Sequence, residues 1–300
     1  MVKSLEVNLG KLILQNPITT ASGCFGYGTD FCDFLDLDNL GAITLKSITK
    51  APRAGNPTPR VAETPSGMMN SIGLANCGIK EFLEEKLPAL EYLKKVKVIA
   101  NIAGHSTEEN VELAEILNSQ KRVDAIELNI SCPNVDAGGL AFCQDMAQLK
   151  VLLRKVRVKT DKPLIVKLAV NVHDIVSLAQ TCEGEGADIL SLINTVTGME
   201  VDIENRKLFF SRGYAGLSGP AIRPIALKAV YDVARAVKLP LIGMGGIATV
   251  EDVVKFLMVG ADAISVGMMN FVQPDISEKL VAELIEYLNQ RGMKVEDLKL

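Results

Sequence analysis

The 300 residues are 48% hydrophobic and carry 32 basic against 36 acidic side chains, for a formal net charge of -4. The basic residues are scattered and form none of the blocks that neutralise phosphates, which argues against a nucleic-acid partner. No apolar run reaches the roughly 18 residues of a membrane span, and Met1 to Gly10 carries charge inside its apolar stretch, so a cytoplasmic protein with no targeting segment and no membrane contact is expected.

The cysteines at 24, 32, 77, 132, 143 and 182 form no C-x-x-C pair, and a chain of this length needs no disulfide staples. Free thiols in a reducing compartment are expected, most of them small buried hydrophobes.

Along the chain, short β-rich apolar runs alternate with amphipathic helical stretches, the pattern of parallel α/β architecture. Eight strands are expected, at Ile18 to Ala21, Ala42 to Leu45, Val96 to Ala100, Ala125 to Leu128, Leu164 to Val166, Ile189 to Ile193, Leu241 to Met244 and Ala263 to Val266. Helices are expected at Glu108 to Leu117, Met146 to Val156, Ile175 to Glu183, Ile225 to Val237, Val250 to Val259 and Ile276 to Tyr287. The strands end in Ser22-Gly23, Lys46-Ser47, Asn101, Asn129, Lys167, Asn194-Thr195, Gly245-Gly246 and Gly267. In a (β/α)8 TIM barrel those ends converge on the catalytic face, so eight polar or glycine endings describe one pocket. An open doubly wound sheet would not gather them, and no G-x-G-x-x-G follows the first strand. With no linker or composition shift, residues 1–300 read as one α/β barrel domain. Two long segments, Thr49 to Gly78 and Val196 to Ala221, read as insertions on the catalytic face.

Glycine turns follow the seventh and eighth strands, at Gly245-Gly246 and Gly267-Met268, where many barrels bind phosphate on backbone N-H groups. Turn glycines without a ligand are the plainer alternative at either place alone. Lys46 and Lys167 end strands where an unpaired ammonium would be costly to bury, so each is expected to meet either an internal acid or an anionic ligand. Asn70, Asn129, Asn134 and Asn194 offer the paired donors and acceptors that suit a cyclic ureide, although each alone also suits a turn or cap. Cys132, in Asn129-Ile130-Ser131-Cys132-Pro133-Asn134, is a candidate base or nucleophile. His105 and His173 lie at helix starts, where capping or solvent exposure is expected.

These motifs resemble the dihydroorotate dehydrogenase family over about Val7 to Tyr287. The most specific is Asn129 to Asn134, supported by Ala21-Ser22-Gly23, Lys46-Ser47, Asn70 to Leu74, Asn194-Thr195, Leu217 to Ile222 and Gly245-Gly246-Ile247. The resemblance implies FMN held by Ser22, Lys46, Ser47, Asn101, Asn129, Lys167, Ile193, Gly219, Gly245, Gly246, Gly267 and Met268. It implies substrate met by Lys46, Asn70, Ser71, Ile72, Gly73, Leu74, Asn129, Asn134, Asn194 and Thr195, with Cys132 as the catalytic base. The implied reaction gives orotate for pyrimidine synthesis, and no metal site is implied. A cysteine base and no quinone-binding N-terminal helices resemble the soluble class 1, and Val135 to Phe142 resembles its NAD-linked class 1B branch. That branch implies a partner subunit with FAD and a [2Fe-2S] cluster, in a heterotetramer of two catalytic and two electron-transfer chains. Met268 stands where a small hydroxyl residue is common, Cys77 replaces a proline, and Ala169-Val170 replaces a hydroxyl-proline pair.

The rival readings are a fumarate-linked dihydroorotate dehydrogenase and another FMN barrel acting on a pyrimidine, whose tRNA-modifying form needs a basic surface. A non-redox phosphate-binding isomerase barrel would share the glycine turns without needing Cys132 or the asparagines. A scaffold protein would leave the lysines unexplained.

Overall fold

The computed structural model describes residues 5–130 and 145–300. In chain order the strands are β1 (Val7–Leu9), β2 (Leu12–Leu14), β3 (Ile18–Thr20), β4 (Ala42–Thr44), β5 (Val61–Thr64), β6 (Gly67–Asn70), β7 (Lys97–Ile102) and β8 (Ala125–Asn129). They continue as β9 (Leu164–Leu168), β10 (Ile189–Leu192), β11 (Val196–Gly198), β12 (Val201–Asp202), β13 (Lys207–Leu208), β14 (Ala215–Ser218), β15 (Leu241–Met244) and β16 (Ala263–Val266). The eight expected strands are β3, β4, β7, β8, β9, β10, β15 and β16, and they pair in parallel in that order around a closed barrel. All six expected helices are present, at Thr107–Asn118, Met146–Arg157, Ile175–Gly184, Arg223–Ala234, Val250–Met258 and Ile276–Arg291. Four begin on a side chain that accepts from the first turn, namely Ser106, Asp145, Asp174 and Thr249.

Side chains alternate across a strand, so inward positions recur every second residue. At the bottom of the barrel they are Ala42, Ile99, Ala125, Ile165, Ile189, Ile242 and Ala263. Leu9, Leu12 and Leu14 of the antiparallel β1-β2 hairpin pack on this layer and close that end. Two residues higher the inward positions turn polar: Thr44, Asn101, Glu127, Lys167, Ser191 and Ser265 are all buried. The outer faces of the strands meet the helices in the main apolar core. Six of the eight barrel strands thus carry a polar inward side chain above the floor, which sets the site at the C-terminal ends.

The two insertions are not plain loops. Together they form a four-stranded antiparallel sheet in the order β11-β14-β6-β5, with the β12-β13 hairpin beside it. No α-helix follows β3; two single-turn 3-10 segments, Thr29–Phe31 and Leu37–Asn39, occupy that connection.

Candidate active site

Two hollows of about 520 and 1020 Å³ lie at the C-terminal ends of the barrel strands and share Ser22, Cys24, Lys167, Asn194, Thr195 and Ser218 as walls. The smaller is lined by Ile193, Gly219, Gly245, Gly246, Gly267 and Met268. The larger brings together Lys46, Ser47, Asn70, Ile72, Gly73, Leu74 and Asn129. Ser22, Lys167, Asn194 and Thr195 stand at the junction.

Two expected contacts do not line either hollow. Asn101 is fully buried beside Glu127, and Ser71 is buried behind its loop, where its hydroxyl accepts from Asn56 Nδ2 at 3.0 Å. Cys132 and Asn134 lie outside the described residues, as does the Val135 to Phe142 segment.

The glycine turns are demanded by geometry. Gly246 has φ +73°, and a Cβ there would fall 2.7 Å from Gly219 O and 2.9 Å from Arg223 N. Gly267 differs: a Cβ on it would meet only Ala21 and Cys24, at 3.6 and 3.7 Å, which is ordinary contact. The protein itself therefore does not require glycine at 267; a ligand lying against that backbone would.

Lys167 is 4% exposed, and among the described residues no carboxylate lies within ion-pairing distance of it. The alternative of an internal salt bridge at Lys167 is absent among those residues. Lys46 reaches the same space, its Nζ standing 3.7 Å from where a Cβ on Gly23 would be.

The loop from Asn70 to Gly78 is held by Asn76, a residue the sequence reading passed over. Its Oδ1 accepts from Gly78 N at 2.8 Å and Thr49 N at 3.2 Å, and its Nδ2 donates to Leu74 O at 2.7 Å and Thr49 Oγ1 at 2.9 Å. Gly73 and Leu74 both adopt positive φ, +70° and +58°, turning the loop over the larger hollow. Cys77 fits beside Tyr27, its Sγ 3.2 Å from the hydroxyl.

Cys24 was expected to be an ordinary buried thiol, yet it lines both hollows. Burial pushes the thiol up, against the opposing pull of Lys167 and Lys46. It therefore stays protonated near neutrality. Phe271, Met68, Ile222 and Ser265 also line the pockets and carried no distinguishing sequence signal. Neither histidine enters the site; the Arg53 guanidinium bonds to the exposed His105 ring.

A closed parallel barrel whose strand ends gather glycine turns, two lysines and several carboxamides is the architecture of a barrel enzyme with an anionic ligand. The family model for dihydroorotate dehydrogenase matches residues 4–288, and the chain belongs to that family. It is 47% identical over 293 residues to the protein of Trichlorobacter lovleyi named dihydroorotate dehydrogenase B (NAD(+)), catalytic subunit, covering 98% of this chain and 96% of the relative. The Geobacillus kaustophilus protein of the same name is 50% identical over 289 residues, covering 96% and 92%. The Listeria monocytogenes one is 48% identical over 296 residues, covering 98% and 97%. The crystal structure of the Eimeria tenella enzyme in complex with ferulenol shares the fold, with a TM-score of 0.82 over 98% of this chain and 87% of that one at 22% identity. Among the described residues, no helix is long and apolar enough to cross a membrane.

Proposed function

We propose that this chain oxidises (S)-dihydroorotate to orotate in de novo pyrimidine synthesis, with FMN as its own cofactor. The observation that carries the reading is the meeting of Lys46, Asn129, Lys167, Asn194 and Thr195 at hollows that continue into the glycine cradle. It occurs in a chain that matches the named catalytic subunits along nearly its whole length.

Two features fit FMN. The open face of Gly267 suits a phosphate against bare backbone, and Asn101 Oδ1 is a buried acceptor with no partner among the described residues. When bound, FMN supplies the acceptor for the hydride that leaves substrate C6. The turns at Gly245-Gly246 and Gly267-Met268 would hold its phosphate, and Ser22, Ser47, Ile193 and Gly219 would line the rest of the cofactor. Lys167 places a positive charge where the reduced cofactor gathers negative charge. Lys46 faces the substrate carboxylate, and the carboxamides of Asn70, Asn129, Asn134 and Asn194 grip the ureide ring. Cys132 takes the proton from C5.

Electrons then leave for NAD through a second subunit that carries FAD and a [2Fe-2S] cluster, in an assembly of two catalytic and two electron-transfer chains. The names of the relatives, which specify NAD(+) and a catalytic subunit, support this. An anaerobic titration tests the reading: the purified chain should be yellow and should bleach on adding dihydroorotate. A folded protein that takes up no FMN, or a flavin that dihydroorotate leaves oxidised, would overturn it.

A further inference from the structure

Glu127 is 2% exposed inside the barrel, and the reaction as derived above gives it no task. A buried carboxylate is costly unless its oxygens are hydrogen-bonded. Here both are: Asn101 Nδ2 donates to Oε1 at 2.6 Å and Ser191 Oγ donates to Oε2 at 2.7 Å. Glu127 is on β8 and Ser191 on β10, so their bond crosses the inner face of the intervening β9. The registers fix the level of that crossing, because Glu127 pairs with Ile165 and Ser191 pairs with Lys167. The carboxylate therefore lies between the apolar floor of the barrel and the pocket lysine.

Asn101 occupies the matching place on the other side. Thr44 of β4 pairs with Ile99 and Ile48 bridges Ile102, so Lys46 runs alongside the stretch that carries Asn101, which itself pairs with Glu127. Glu127 accepts at both oxygens, and the Asn101 group that faces it is the NH2. That contact decides which way the amide points, and it leaves Oδ1 as a buried acceptor without a partner among the described residues. An orphaned buried acceptor costs stability unless a ligand satisfies it.

We infer that Glu127 is a positioning residue: it locks the Asn101 carboxamide so that Oδ1 is held ready as an acceptor for an N-H or O-H donor of the bound cofactor. The inference rests on the FMN reading above. It implies that orientation, not the charge of Glu127, is what the cofactor senses. A glutamine at 127 can accept from Asn101 through Oε1 and donate to the Ser191 hydroxyl through Nε2, preserving the arrangement. A leucine cannot.

The test is FMN titration into the apoprotein, read by quenching of flavin fluorescence, with the melting temperature of each FMN-free form measured in parallel. Glu127→Gln should bind FMN within about threefold of wild type, and Glu127→Leu about ten- to a hundredfold more weakly, the range of one lost buried hydrogen bond. Asn101→Ala should weaken binding to the same degree, and adding Glu127→Leu to it should cost nothing more, since the two act through one contact. If Glu127→Leu does not fold, Glu127→Asp replaces it; too short to reach both partners, it should fall between the glutamine variant and Asn101→Ala. Wild-type affinity in both the leucine and the aspartate variants would overturn the inference. So would additive losses, or a glutamine variant as weak as Asn101→Ala, which would make the charge decisive. A wild-type chain that binds no FMN at all would overturn the cofactor reading itself.

Discussion

Lys167 shows how much a single side chain can carry. It is held at the end of β9 by a strand whose other inward residue, Ile165, belongs to the apolar floor, and its ammonium is buried without a carboxylate beside it among the described residues. A cation so placed is stabilised by an anionic ligand. Lys167→Ala is therefore expected to weaken FMN binding or slow its reduction by at least about tenfold, consistent with the loss of one charge-assisted contact. Stopped-flow absorbance and apoprotein titration separate the two effects, and wild-type values in both would make the residue structural only. Cys24, by contrast, sits in the same pocket but is held as a neutral thiol by burial. It is therefore poorly suited to take a proton at neutral pH.

At the scale of elements, the loop over the larger hollow depends on Asn76. Its carboxamide makes two hydrogen bonds within the loop, to Leu74 O and from Gly78 N, and two that tie it to Thr49 after β4. Asn76→Ala should loosen Ile72, Gly73 and Leu74 without touching the glycine cradle. The expected result is a KM for dihydroorotate raised about tenfold, the size of one or two lost hydrogen bonds, with the flavin spectrum unchanged. An unchanged KM would show that the loop holds its shape without this hub.

The same elements show what a sequence makes legible. Barrel strands such as Leu164–Leu168 are apolar runs flanked by helices with clear caps, so their position and order could be read directly. Strands β5 and β6 span only four residues each, and β5 alternates exposed and half-buried positions without a large apolar residue facing inward. The pairing of β6 with β14 joins segments about 150 residues apart, which no local pattern announces. The β1-β2 hairpin was missed for the same reason: Leu9, Leu12 and Leu14 make sense only against the barrel floor. Most pocket-lining residues end strands, whereas Asn101 and Ser71 lie deeper than the walls, because ending a strand or joining a loop does not fix the depth of a side chain. Cys24 and Asn76 looked like ordinary connecting residues.

For the molecule as a whole, the bottom of the barrel is sealed by the β1-β2 hairpin and the top carries the insertion sheet, so access to the site is from the strand-end face alone among the described residues. The isolated chain is expected to reduce artificial acceptors after dihydroorotate but to reduce NAD slowly, and addition of the electron-transfer subunit should restore NAD reduction. Steady-state assays with NAD, fumarate and a dye distinguish the outcomes. Full NAD reduction by the chain alone, or fumarate as the efficient acceptor, would contradict the NAD-linked assignment. The most direct test of the central claim is rapid-mixing reduction of the flavin by dihydroorotate in Cys132→Ala. A base must be deprotonated before it accepts the C5 proton, so with a cysteine pKa of about 8.5 the wild-type rate should climb with pH toward that value. The alanine variant should lose that climb and reduce its flavin roughly 10² to 10⁴ times more slowly, while still binding orotate and reoxidising normally. Reduction at the wild-type rate would show that Cys132 is not the base.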